Sequence, residues 1–183
     1  MKTRSTRITR LIAILTVALT LIAAPATVGV TSVAAQASHG PYCGITWGST
    51  PKSAGDMEAG LVQGVRVGRH ACYDRLVIDM SGAAPGYNVR YVTTVRADGS
   101  GNPVPVAGGA RLAVITKKGA TSVPTMPSVS GYDTFRQVRW AGSFEGQTTF
   151  ALGVRARLPF RTFTLYDAST NTSRLVIDVA HYW

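Results

Sequence analysis

The chain has 183 residues, of which 19 are basic and 9 are acidic, giving a formal net charge of +10. The positive charge is spread over separate arginines rather than gathered in one block. This distribution argues against a nucleic-acid-binding arm, and an anionic polymer or acidic membrane surface fits the charge better.

The first 37 residues have the pattern of a secretory signal peptide. Basic residues occupy the segment 2–10, an apolar stretch covers 11–24, and Ala35-Gln36-Ala37 offers a cleavage site, with Ala24-Pro25-Ala26 as a second one. The alternative is an uncleaved anchor, although Thr, Pro and Gly interrupt the apolar tail before it reaches a firm transmembrane length. Removal of residues 1–37 takes away four basic and no acidic residues and lowers the net charge from +10 to +6. We therefore expect a secreted protein with at most peripheral membrane contact.

Cys43 and Cys72 are the two cysteines of the chain. A pair of cysteines in an exported protein predicts one disulfide. It would tie the irregular segment 38–60 to the body of the fold and stabilise it by about 3.5 kcal/mol in the chain-entropy description. A catalytic thiol or a metal-binding pair is the alternative, but the CxxC spacing typical of such sites is missing.

From residue 61 onward the sequence predicts strands separated by Gly- and Pro-containing turns. The predicted strands cover 65–69, 73–80, 87–96, 111–116, 135–140, 148–154, 160–166 and 174–180, and 117–131 is a Ser/Thr/Pro-rich surface loop. This pattern is typical of an all-β, single-domain antiparallel β-sandwich or small open barrel over residues 61–183.

The pentapeptide RLVID occurs at 75–79 and again at 174–178. A carboxylate near the middle of a strand is unfavourable unless it finds a partner. If the two copies pair antiparallel with Val77 opposite Val176, Arg75 meets Asp178 and Asp79 meets Arg174. We take this reciprocal pairing as a hypothesis. The alternative places the copies in different sheets.

The residues that carry catalysis or bind metals are sparse. His39, His70 and His181 stand apart from any short-spaced ligand set, and Glu145 lies in a Phe-Glu-Gly sequence typical of a hairpin turn. Nucleophile-elbow, zinc-protease and phosphate-loop motifs are not found. We predict a protein that is not an enzyme and has no metal and no cofactor.

Arginines and aromatic residues are the candidate ligand contacts, because guanidinium groups bind carboxylates or phosphates and flat rings stack on sugars. The candidates are Arg90, Tyr91, Arg96, Arg139, Trp140 and Arg155. The alternatives are that the arginines form an ordinary solvated surface and that Trp140, like Trp47, belongs to the core.

Four segments, at 65–82, 85–92, 143–165 and 173–183, together resemble the AMIN-like domain of secreted actinobacterial proteins, with FEG, PFR and RLVID in that order. AMIN domains, to which this family is similar, are β-sandwich modules that bring amidases and secretion pores to the cell envelope, with peptidoglycan as the presumed ligand. The resemblance implies a non-catalytic, envelope-associated module that binds a cell-wall polymer. The alternative is a protein-interaction module that docks an envelope protein through a strand edge.

Overall fold

A computed structural model of the protein describes residues 42–183. The signal peptide predicted at 1–37 and His39 lie outside the described residues. Eleven strands follow a short 3₁₀ turn at Tyr42–Gly44: β1 (Lys52–Ala54), β2 (Val62–Arg69), β3 (Tyr73–Ser81), β4 (Tyr87–Val92), β5 (Val95–Arg96), β6 (Pro103–Val104), β7 (Ala110–Thr116), β8 (Phe135–Phe144), β9 (Gln147–Val154), β10 (Phe160–Asp167) and β11 (Thr172–Ala180). The all-β prediction is confirmed, and the chain between 42 and 183 contains no α-helix.

The strands form two antiparallel sheets that enclose one core. One sheet has the order β1-β4-β7-β9-β8 and the other has the order β10-β11-β3-β2, while β5 and β6 make a separate two-stranded ribbon. Strand alternation turns every second side chain inward, as with Leu76, Ile78 and Met80 of β3, each with no exposed surface. The sheets remain open at their edges, so the sandwich prediction is confirmed over the barrel alternative.

The two RLVID copies lie side by side at the centre of the four-stranded sheet. Val77 of β3 is opposite Val176 of β11, which places Arg75 opposite Asp178 and Asp79 opposite Arg174. This register is the reciprocal one that the sequence hypothesis describes. An identical sequence paired antiparallel with itself has a local two-fold relation, so each arginine faces the aspartate of the other copy.

Residues 42–54 form an N-terminal strap that crosses from one sheet to the other. The Cys43–Cys72 disulfide fixes its start, the carbonyl of Gly48 accepts a hydrogen bond of 2.9 Å from the amide of Phe160, and β1 pairs with β4. The expectation that 38–60 is a loop is therefore wrong at Lys52–Ala54. That strand depends on pairing with β4, since Lys-Ser-Ala carries no alternating pattern of its own.

The β5–β6 ribbon and the segment after it cover part of the outer face of the five-stranded sheet. A small apolar cluster joins them to the sheet, formed by Val95, Val106, Ala113, Ala141 and Ala151. The segment passes so close that a Cβ atom at Gly153 would lie 1.8 Å from the carbonyl oxygen of Ala107. Strand β9 is consequently buried on both faces, which a simple alternating pattern does not predict.

Candidate functional site

The outer face of the four-stranded sheet carries most of the charged side chains that strands β2, β3, β10 and β11 present to solvent. We call it the repeat face and define it by Arg66, Arg75, Asp79, Arg161, Arg174 and Asp178. Arg75, Asp178 and Arg161 are directly opposite one another on three neighbouring strands, so they form a row across the sheet. The register of the two RLVID copies therefore places these side chains in one continuous charged surface rather than in two isolated ion pairs.

Asp178 is the anchor of this row. Its carboxylate has no exposed surface and accepts hydrogen bonds from Arg75 Nε at 2.6 Å and Nη2 at 2.8 Å, and from Arg161 Nε at 2.7 Å. The bond to Asp178 raises the pKa of Arg75 above its already high ordinary value. Two guanidinium groups share one carboxylate, so this row has a positive net charge.

Asp79 repeats the arrangement closer to solvent. Arg66 donates to it from Nε at 2.7 Å and Nη2 at 3.0 Å, and Arg174 lies 3.6 Å away on the other side. Side-chain exposure is 30% for Asp79, 56% for Arg66 and 45% for Arg174. With four arginines and two aspartates, the repeat face has a net charge of +2.

Aromatic rings border this row and lie close to its guanidinium groups. The guanidinium carbon of Arg161 lies 5.6 Å from the ring centre of Trp47, 5.4 Å from that of Tyr73 and 5.3 Å from that of Phe163. These are cation–π distances. Trp47 belongs to the strap, so the disulfide-anchored segment contributes one wall of the repeat face. Sequence reasoning singled out Trp47 but had no signal to place it beside β10.

The structure separates the ligand residues predicted from the sequence into two groups. Arg90 and Arg139 lie opposite Ala113 and Ala151, on the outer face of the five-stranded sheet, and Arg96 lies on the ribbon above it. Arg155 follows β9 and donates to the backbone carbonyl of His181.

Tyr91 and Trp140, by contrast, face the inside of the sandwich. The Tyr91 hydroxyl donates to the carbonyl of Leu158 at 2.7 Å and accepts from its amide at 3.0 Å, and burial raises the pKa of Tyr91 to about 12. Trp140 packs edge-on against Phe150. Positions 90 and 91, like 139 and 140, are neighbours on a strand and point to opposite faces. The predicted arginines therefore have no adjacent ring from these two aromatics.

One group of metal-ligand side chains comes close together in the described part of the chain. His181 Nε2 lies 3.2 Å from Asp74 Oδ1 and 3.7 Å from Asp133 Oδ2. The other oxygen of Asp74 accepts the amides of Thr134 and Phe135 at 2.6 and 3.1 Å. Asp133 also pairs with Arg69 at 3.6 Å. These contacts account for the cluster as a network of hydrogen bonds and one Arg–Asp ion pair that joins the ends of β3, β8 and β11.

Within residues 42–183 the structure contains no helix with the length and apolar character needed to cross a membrane.

Comparison with known proteins identifies the family. No curated protein and no solved structure matches the chain. The profile of the AMIN-like domain matches residues 60–181, a region that includes both RLVID strands and all of the repeat face. AMIN-like domains are generally non-catalytic modules of the cell envelope, and this chain belongs to the AMIN-like domain family.

Proposed function

We propose that the protein is an exported, non-catalytic binding module that recognises peptidoglycan or another anionic cell-wall polymer through the repeat face. Its place is outside the cytoplasmic membrane, at the cell envelope. Family membership and the signal-peptide pattern of residues 1–37 support this proposal.

The observation that carries the proposal is the ratio of two arginines to each carboxylate on an open sheet face. Asp79 and Asp178 neutralise half of the positive charge of the four arginines. Their carboxylates also hold the guanidinium groups in fixed positions. Arg66 and Arg174 are exposed enough to reach a ligand, and guanidinium groups bind carboxylate and phosphate groups bidentately. An open surface whose charged groups are held in place by hydrogen bonds suits an extended polymer better than a small molecule.

The experiment is co-sedimentation of the purified protein with isolated cell-wall sacculi at low and high salt. We expect retention at low salt that decreases at high salt, because exposed charge interactions are screened. The variant R66A/R174A removes two exposed charges from the repeat face and should lower retention severalfold. Its matched control, R139A/R155A, removes the same charge from two arginines predicted from the sequence. Equal losses in the two variants would show that net charge, rather than the repeat face, causes binding.

A second candidate function is docking of an envelope protein along a strand edge. Strand β8 is the last strand of its sheet, and a groove of about 640 Å³ runs beside it, between residues 127–132 and 135–138. Backbone pairing with an added strand depends little on salt. Retention on sacculi at neither salt concentration, together with salt-insensitive capture of an envelope protein, would favour this function over polymer binding.

A further inference from the structure

A separate cavity lies on the opposite side of the sandwich from the repeat face. It has a volume of about 420 Å³ and lies between the β5–β6 ribbon and the outer face of the five-stranded sheet. Its charged and polar lining includes Arg90, Arg96, Asp98 and Thr149, and Gly99 and Gly101 also line it. Its size is within the range of small-molecule sites.

The two arginines of this cavity differ from those of the repeat face. Arg90 donates to the side chain of Asn88, and Arg96 donates to the carbonyl of Gly101 at 3.0 Å. Among the described residues no carboxylate lies within ion-pair distance of either guanidinium, whereas Arg66, Arg75, Arg161 and Arg174 of the repeat face are all paired. These two guanidinium groups line one concave surface with a single carboxyl group, Asp98, so the cavity keeps an excess of positive charge.

Asp98 is the carboxylic acid that lines the cavity. Its Oδ1 accepts a hydrogen bond of 2.9 Å from Thr149 Oγ1, and its amide donates to the carbonyl of Ala141 at 2.8 Å. Its Oδ2 is buried and finds no partner within the described range. Burial also raises the pKa of Asp98. The single carboxyl group therefore joins the ribbon to the sheet through Oδ1 and forms no ion pair with either arginine.

We propose that this cavity is a binding site for a small oxyanion, the carboxylate or phosphate group of a ligand that Arg90 and Arg96 hold together. Arg90 contacts the anion from the sheet, and Arg96 contacts it from the ribbon. The charge of Asp98 opposes the anion. The site is independent of the repeat face, because the two lie on outer faces of different sheets.

The test is NMR titration of the purified protein with two probes, inorganic phosphate and N-acetylglycine, which distinguish a phosphate from a carboxylate ligand. We expect saturable shifts of the backbone amides of Gly99, Gly101 and Thr149 with at least one probe. R96A should weaken binding about tenfold or more, because a hydrogen-bonded charge pair is lost. R96K should recover only part of that loss, since lysine keeps the charge but not the fork of donors.

R139A is the matched control, because Arg139 is on the same sheet face and its guanidinium donates to Pro105 rather than lining the cavity. It should leave the titration unchanged, and D98N should tighten binding. Absence of saturable shifts with both probes, equal weakening in R139A, or weaker binding in D98N would overturn the proposal. R90A should also weaken binding. Arg96 is an exposed residue of the ribbon, so R96A tests the site even if R90A fails to fold. If R66A/R174A loses sacculus binding but still binds the anion probes as the native protein does, the repeat face and the cavity are two different binding sites.

Discussion

The two RLVID copies have the same sequence but different surroundings, and this difference predicts unequal effects of the same substitution. Asp178 is fully buried and receives three hydrogen bonds from two arginines, while Asp79 is 30% exposed. Replacing either aspartate with asparagine preserves shape and removes the negative charge. We expect D178N to destabilise the protein far more than D79N.

The magnitude follows from burial. Breaking a buried ion pair costs about 3–5 kcal/mol because a charge is left without its partner. The Arg75 and Arg161 side chains are 25% and 32% exposed, so water recovers part of their hydration and we take the lower end, about 3 kcal/mol. The Asp79 pairs involve arginines that are 56% and 45% exposed, and such surface pairs contribute about 0.5–1 kcal/mol.

Urea unfolding followed by circular dichroism measures the difference. With a slope of about 2 kcal/mol per molar urea, D178N should lower the unfolding midpoint by about 1.5 M and D79N by less than about 0.5 M. The double variant R75A/D178N should lose less than the sum of its single changes, because the groups are coupled. Similar midpoints for D178N and D79N would refute the assignment of Asp178 as the buried anchor of the repeat face.

Three further predictions concern the strap, the core tyrosine and the ribbon. The variant C43S/C72S should lose about 3.5 kcal/mol of stability in urea unfolding and should increase amide exchange at Phe160, whose partner Gly48 lies on the strap. The raised pKa of Tyr91, about 12 against an ordinary value of 10.0, means that the native state holds a proton that the unfolded state loses first. Stability should therefore fall as pH rises from 10 towards 12, and Y91F should flatten that part of a stability–pH curve. G153A should destabilise the protein by about 1–3 kcal/mol, because its Cβ would collide with the carbonyl of Ala107, whereas G64A, where no atom lies within 4 Å, should unfold near the native midpoint.

The central part of the fold was predictable because local pattern and tertiary pairing agree there. Alternating residues identify β3 and β11, and the charges of the RLVID repeat are complementary only in the antiparallel register that the structure has. Strand β1 is not predictable from the sequence, because its three residues have no alternating pattern. They form a strand by pairing with β4. The ribbon strand β6 was missed because Pro103 and its neighbours have the composition of a turn.

The candidate site was harder to predict, because residue type alone does not say which face a strand buries. Residue chemistry places Arg90 and Tyr91 in one group, but adjacent strand positions point to opposite sides, so Tyr91 packs against the core. The repeat by itself predicts the charged residues of RLVID as structural pairs alone. The larger cluster of charges also contains Arg66 and Arg161, which come from strands β2 and β10 and have no sequence link to the repeat.

Mapping a soluble cell-wall fragment on the protein by NMR tests the central claim most directly. At low salt, titration with muropeptide oligomers prepared from sacculi should shift the amides of 75–79 and 174–178 and the side-chain Nε–H signals of Arg66 and Arg174. High salt should reverse these shifts. Saturable shifts confined to the five-stranded sheet, with the repeat face unchanged, would contradict the assignment of the repeat face as the polymer-binding surface.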